Sequence, residues 1–285
     1  MKLATYQSDQ GPRAAGVRDD GYVDLNRADP EVPACIKRLL AQGAQGIARA
    51  EQAMAAGEPM PAADVELLPP IPSPEKVLCI GRNYAEHAKE SGADVSAEPV
   101  VFNKLPSAVS TAGRPIVLPK LSQEVDYEAE LVVVIGTPGR HILRQQALDH
   151  VAAYCCGNDV SARDWQFHHS DGHWLLGKSF DTFAVFGPHL ITADEIDDPG
   201  NLDIRLRLNG QEMQSSNTSQ LIFPIDQLIS HISGICTLKP GDLIFTGTPS
   251  GVGFARKPPV FLKDGDAVEV EVEKLGVLRN HVVAE

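Results

Sequence analysis

The sequence predicts an α+β fold, mostly β, with a small α/β segment ahead of it. Three observations carry this. Hairpin signatures mark the C-terminal half: Asp203 to Leu208 alternates polar and apolar residues and runs into Asn209-Gly210, and Ala267 to Glu273 alternates Val with Glu before turning at Leu275-Gly276 into Val277 to Val283. Pro59, Pro61, Pro69, Pro70, Pro72 and Pro74 cluster in a stretch that can neither continue a helix nor donate to a strand ladder. Ahead of them, Val32 to Ala56 is rich in Ala, Leu, Gln and Arg, as helices are. The prolines are therefore read as a linker that separates an accessory domain, residues 1–70, from a main domain, residues 71–285.

Within the first segment, Lys2 to Tyr6 and Tyr22 to Leu25 are expected to be strands. In the second, Leu131 to Ile135 is apolar without alternation, as a strand buried on both faces would be. Pro240-Gly241-Asp242 and Asp264-Gly265-Asp266 are turn signals at strand entries. Helices are few: Tyr84 to Glu90, part of Gln145 to Ala153, and Pro224 to Ser233. No internal repeat or low-complexity tract is present.

At 285 residues the chain can build one large core with a small companion. Its 38 acidic and 25 basic residues leave a net charge of -13, which repels nucleic acid and anionic membrane surfaces, so neither is expected as a partner. The opening residues Met1 to Ser8 lack the apolar run of a signal peptide, and a cytoplasmic location is expected. The five cysteines are odd in number and form no C-x-x-C pair, against both a disulfide framework and a zinc knuckle; they read as small buried residues.

The chemistry centres on Val125-Asp126-Tyr127-Glu128-Ala129-Glu130, which leads directly into the apolar strand. Side chains two apart on a strand share a face, so Asp126, Glu128 and Glu130 are expected on one side. Carboxylates crowded at the end of a buried strand need a compensating cation, unless that end is simply solvated. A second acidic strand end, Asn158-Asp159, favours the cation. Glu128, Glu130 and Asp159 suit a hard, oxygen-seeking ion: Mg²⁺ or Mn²⁺, with Ca²⁺ also fitting the donor type. No Cys or His stands beside them at a ligand spacing, and His169 and His173, four apart with Gly172 between, do not make a metalloprotease helix.

Arg163 either neutralises excess carboxylate or binds an anionic substrate, and Lys178, set among Gly and small polar residues, reads as a site residue. His87 and Glu90, three apart on a helix, share a face, so the carboxylate can orient the imidazole as a general base; the alternative is an ordinary exposed pair. The glycine-rich run Thr246 to Gly253 frees backbone N–H groups and offers the Thr248 hydroxyl, a cradle for a carboxylate or phosphate, but lacks the lysine of a nucleotide P-loop.

In order and spacing, Gly81-Arg82-Asn83-Tyr84 with His87 and Glu90, Glu128-x-Glu130, Asn158 to Gln166, Lys178 to Thr182 and Gly247 to Gly253 resemble the fumarylacetoacetate hydrolase family, from about Lys76 to the C-terminus. The resemblance implies a mixed β-roll core, a homodimer or higher homo-oligomer, and Mg²⁺ or Mn²⁺ on Glu128, Glu130 and Asp159. It implies a His87–Glu90 dyad with Lys178 near a small 2-oxo acid substrate, and substrate contacts from Arg82, Tyr84, Lys104, Arg163, Gln166 and Thr248. The expected reaction is hydrolysis of the C–C bond of an acylpyruvate-type 2,4-dioxo acid, with His87 activating water and a pyruvate enolate leaving, stabilised by the metal and Lys178. A 2,4-dioxo-3-deoxy sugar acid derived from rhamnonate or fuconate is one such substrate, since Trp165 to His173 reads as a candidate lid with several hydrogen-bonding groups. The alternatives are oxaloacetate decarboxylation, a ureidoglycolate lyase-like activity, or a non-catalytic protein in which the metal staples two strand ends around a metabolite pocket.

Overall fold

The strand Ala129–Ile135 is buried at every residue and pairs antiparallel on both sides, with Val151–Asp159 and with Leu243–Phe245. Its alternation explains why no residue can be polar beyond Glu130. Leu131, Val133 and Ile135 enter one core, and Val132 and Val134 enter the other. The computed structural model describes residues 1–285, the side chain of Ser170 alone lying outside the described residues.

Around this strand grows an eleven-stranded mixed sheet. Across it lie Gly21–Asp24, Gly11–Arg18, Lys2–Ser8, Ala184–Thr192, Val151–Asp159, Ala129–Ile135, Leu243–Phe245, Val77–Gly81 and Val100–Lys104, with Leu67–Leu68 and Val109–Ser110 attached beside the path. A five-stranded sheet, in the order Gln211–Asn217, Asp203–Leu208, Ala267–Val272, Gly276–Ala284 and Ile116–Leu118, packs on one face. Between the two sheets Val133, Tyr154 and Val185 meet Ile204, Leu206, Val270 and Leu278. The opposite face of the large sheet is covered by Leu25, Leu39, Leu40 and Ala50 of the N-terminal helices. The fold is α+β and mostly β, as the hairpin signals predict, and its mixed sheets match the β-roll that the family resemblance implies. Asn209 and Gly210 take φ values of 52° and 80°, which lets Leu208 face Gln211 across a two-residue turn.

The N-terminal residues continue the large sheet, with Lys2 opposite Ile191 and Leu3 opposite Leu190. The proline-rich stretch runs back along the same hairpin: Met60 bridges Tyr22, and Leu68 pairs with Thr5. The structure adds one strand for which the sequence carries no signal and departs from local expectations at three places. Gly11–Arg18 is a strand without β-branched residues except Val17, because small side chains are needed where it passes under the helix; a Cβ on Gly16 would lie 2.7 Å from Met54. The expected helix over Val32 to Ala56 is two, Ile36–Leu40 and Gly43–Ala56, broken where Gly43 takes a φ of 60°. Leu25 opens a short helix, Leu25–Ala28, because Asp24 caps it through the Arg27 N–H at 2.9 Å. The stretch from Gln145 forms a 3₁₀ turn, Arg144–His150, and then gives way to strand at Val151. The helix expected over Pro224 to Ser233 is present as Ile225–Ile235. Among the described residues no helix is long and apolar enough to cross a membrane.

The N-terminal hairpin is tied to the central sheet by the Tyr22 hydroxyl and His189 Nε2, 3.0 Å apart. Burial, helped by the positive charge of Lys2, pushes the His189 pKa down to about 4. The folded state therefore keeps this imidazole neutral where the unfolded chain protonates it. Its contribution to stability is complete above about pH 6.5 and is lost as pH falls toward 4, by at most about 3 kcal/mol. Melting temperatures measured from pH 7 to 4 should fall more steeply for the native chain than for His189→Gln; parallel curves would remove His189 as the titrating group.

Candidate active site

Glu128, Glu130 and Asp159 come together as the sequence predicts: each is buried, and one oxygen from each lies within 4.8 Å of the others. The pairing of Ala129 with Asn158 places them side by side, and the Asp159 N–H donates to the Glu128 carbonyl at 2.9 Å. Asp126 does not join them. The backbone breaks regular pairing at Tyr127 and Glu128, so Val125–Asp126 forms a separate ribbon with Ser161–Ala162. The Asp126 carboxylate turns instead to Arg163, whose Nε donates at 2.8 Å, and to the N–H groups of Gly253 and Phe254 at 2.8 and 3.0 Å.

Three cations surround the cluster. Lys178 Nζ donates to Glu128 at 2.8 Å and to Asp159 at 2.9 Å. Arg163 Nη1 lies 2.7 Å from the other Glu128 oxygen and donates to Gln166 Oε1 at 2.8 Å. Lys104 Nζ hydrogen-bonds Asp159 Oδ1 and the Val160 carbonyl. Burial disfavours charge on Lys178, Arg163 and Glu128, but their ion pairs decide the outcome for all three. Lys178 is held protonated by Asp159 and Glu128, and the Glu128 carboxyl is held low by Lys178 and Arg163. Four buried carboxylates thus face three buried cations. The unmatched charge falls on Glu130, which has no ion pair among the described residues and accepts one N–H, from Gly247 at 2.7 Å. Burial, then Asp159 and Glu128, push its carboxyl well up. This is the environment a divalent cation relieves: a surplus negative charge, three hard oxygen donors, and a second lone pair still open on each carboxylate oxygen that a lysine or arginine touches. The residues fit Mg²⁺ or Mn²⁺.

His87 Nδ1 lies 2.9 Å from Glu90 Oε1. A carboxylate only accepts, so Nδ1 carries the hydrogen and Nε2 is left as the proton acceptor. His87 lines a small cavity of about 40 Å³ together with Glu128, Arg163, Lys178, Gln166 and Thr248. Arg82 lines it too, its guanidinium 5.5 Å from the Trp174 ring and in no ion pair among the described residues. Two expected substrate contacts are not on the wall. Lys104 is 1% exposed and sits behind Asp159, where it orients the carboxylate; Tyr84, 2% exposed, packs into the core ahead of the helix Ala85–Glu90. The histidines of the candidate lid, His168, His169 and His173, also stay off the wall; His169 stacks on Trp165 at 4.5 Å, and the wall there is Phe167, Trp174 and Phe254.

The glycine-rich run does cradle carboxylates, but they are the protein's own. Gly247 N–H holds Glu130, Gly251 N–H holds both Glu90 oxygens at 2.9 and 3.1 Å, and Gly253 N–H holds Asp126. Gly247 has a φ of 105°, and a Cβ on Gly253 would stand 1.9 Å from the Val260 carbonyl. Sequence reasoning missed Gln214, which accepts from Ala129 N–H at 2.9 Å and donates to Thr248 Oγ1 at 2.8 Å, locking the loop to the acidic strand. Asn83, part of the Gly81-Arg82-Asn83-Tyr84 motif but given no role from the sequence, ties the Thr246 and Phe223 carbonyls together through its amide. An isolated residue such as Gln214 carries no spacing signal that would mark it. Gly253→Ala is expected to destabilise the fold by about 1–3 kcal/mol, read as a lower denaturation midpoint at unchanged slope; an unaltered midpoint would show that the loop yields without cost.

The domain model described as fumarylacetoacetate (FAA) hydrolase C-terminal matches residues 76–283. The mitochondrial oxaloacetate tautomerases of Xenopus laevis and Bos taurus are 45% and 48% identical to this chain, over 99% of it and 90% and 92% of their own lengths. Among solved structures, the maleylpyruvate hydrolase of Sphingobium sp. SYK-6 in complex with manganese(II) and pyruvate is 33% identical, with a TM-score of 0.83 over 100% of this chain and 99% of that one. Sequence and fold agree, and the chain belongs to the fumarylacetoacetate hydrolase family.

Proposed function

We propose that the protein is a divalent-metal enzyme that moves a proton at C3 of a small 2-oxo diacid of the oxaloacetate class, interconverting its keto and enol forms. The observation that carries this is the His87 imidazole, fixed by Glu90 in the tautomer with Nε2 free, on the wall of the cavity that Lys178, Arg163 and Glu128 also line. The C3–H bond breaks toward His87 Nε2, its electron pair forms the C2=C3 bond, and negative charge gathers on the 2-oxygen. Lys178, held protonated, faces that charge, and return of the proton to oxygen or to carbon gives enol or ketone. Mg²⁺ or Mn²⁺ held by Glu128, Glu130 and Asp159 would supply further countercharge for the same oxygen.

The name of the relatives at 45–48% identity supports a four-carbon acid. A sugar-derived dioxo acid gains no support, because the aromatic wall offers its hydroxyls little and the lid histidines lie elsewhere. C–C hydrolysis of an acylpyruvate is the second reading, favoured by the likeness to maleylpyruvate hydrolase; the same His87 would then deprotonate water. The dyad weighs against a metal-stapled binding protein, which needs no base. The proposal includes an accessory role for residues 1–70 and a cytoplasmic homo-oligomer, in keeping with five free thiols and with Leu121, Leu143 and Ile235 each more than half exposed.

With Mg²⁺ or Mn²⁺ added, the enol absorbance of oxaloacetate should relax far faster than in buffer, and His87→Gln should lower the enzymatic rate about 10²–10⁴-fold while manganese binding persists. Pyruvate release from an acylpyruvate without any effect on the oxaloacetate tautomers would replace this reading by hydrolysis, and carbon dioxide from oxaloacetate by decarboxylation. Glu130→Gln should weaken manganese binding in calorimetry by more than about 100-fold; undiminished affinity would place the ion elsewhere.

A further inference from the structure

Ser91 follows Glu90 at the C-terminal end of the Ala85–Glu90 helix, and its N–H donates to the His87 carbonyl at 3.1 Å. It is thereby held in fixed register with the base. Its side chain lines the same cavity, yet its hydroxyl oxygen is sealed from solvent and has no hydrogen-bond partner among the described residues. Of the two hydroxyls on the wall, Thr248 Oγ1 already accepts from Gln214, and Ser91 Oγ is the one without a partner among the described residues. A buried hydroxyl left unpaired is costly in the free protein, and a ligand that accepts from it relieves that cost.

We propose that Ser91 is a specificity residue that donates a hydrogen bond to the far carboxylate of a four-carbon 2-oxo diacid, beside the unpaired guanidinium of Arg82. The inference rests on the proposed function for the orientation of the substrate. Lys178 and Arg163 sit over the acidic cluster and take the 2-oxo acid end. His87 acts at C3, and the residue registered to His87 therefore meets the group on C4. A three-carbon 2-oxo acid has no such group, so Ser91 discriminates by chain length and terminal charge.

The test compares wild type, Ser91→Ala and Ser91→Thr, each loaded with Mn²⁺, by calorimetric titration with oxaloacetate and with pyruvate, and by kinetics on oxaloacetate. Ser91→Ala should leave the melting temperature unchanged or slightly raised, weaken oxaloacetate binding about tenfold, leave pyruvate binding as it was, and raise KM more than it lowers kcat. Ser91→Thr, which keeps the hydroxyl, should restore oxaloacetate affinity. Equal oxaloacetate affinity in wild type and Ser91→Ala overturns the proposal, as does an equal loss for both ligands or a lowered melting temperature, which would mark a structural hydroxyl. Wild type that binds oxaloacetate with this discrimination but never turns it over sinks the proposed reaction and leaves the subsite standing. Wild type that binds neither acid sinks both.

Discussion

Three backbone N–H groups of one short loop, those of Gly247, Gly251 and Gly253, each grip a different carboxylate, and the rest of the site hangs on that constraint. Glu130 belongs to the acidic cluster, Glu90 orients the imidazole of His87, and Asp126 anchors Arg163. The loop thus sets the spacing between cluster, base and guanidinium. Peptide N–H groups do this without adding charge. A lysine or arginine in the same place would cancel the surplus on Glu130 and remove the electrostatic reason for a metal.

Electrostatics and packing reinforce each other here. The fully apolar strand behind Glu130 keeps water away, which makes each unbalanced charge expensive and each ion pair strong. Lys104 and Lys178 grip Asp159 from its two oxygens, so that this carboxylate has little freedom of its own. The cost of burying these ions is met by mutual pairing, not by solvent, and loss of any one partner would leave another charge stranded.

Much of this was legible in the sequence. Glu128, Glu130 and Asp159 stood out because charge at the mouth of an apolar strand demands a reason, and Asn209-Gly210 announced its turn because only a few residues take positive φ at both places. What stayed hidden depends on contacts distant in sequence. The side of the strand on which Asp126 falls is decided by a break at Tyr127 and Glu128 that strand periodicity cannot foresee. A glycine-rich loop looks ready for a ligand because its free N–H groups are visible in the sequence, whereas the carboxylates that use them, up to 161 positions away, are not. The family resemblance points to Lys104 and Tyr84 as substrate contacts, yet their side chains run behind the wall of the site. Gly11–Arg18 hid as a strand because its small residues were chosen by the helix above it.

The division of labour within that loop has an evolutionary consequence. Anchoring is done by main-chain atoms, which every residue but proline supplies, whereas two side chains of the same segment, Thr248 and Phe254, face the cavity. Phe254 makes no hydrogen bond through its side chain, so the wall can change there while the scaffold that positions the imidazole and the acidic cluster stays in place; Thr248 is tied to that scaffold by Gln214. A fold wired in this way can change the wall of its pocket without dismantling the centre behind it.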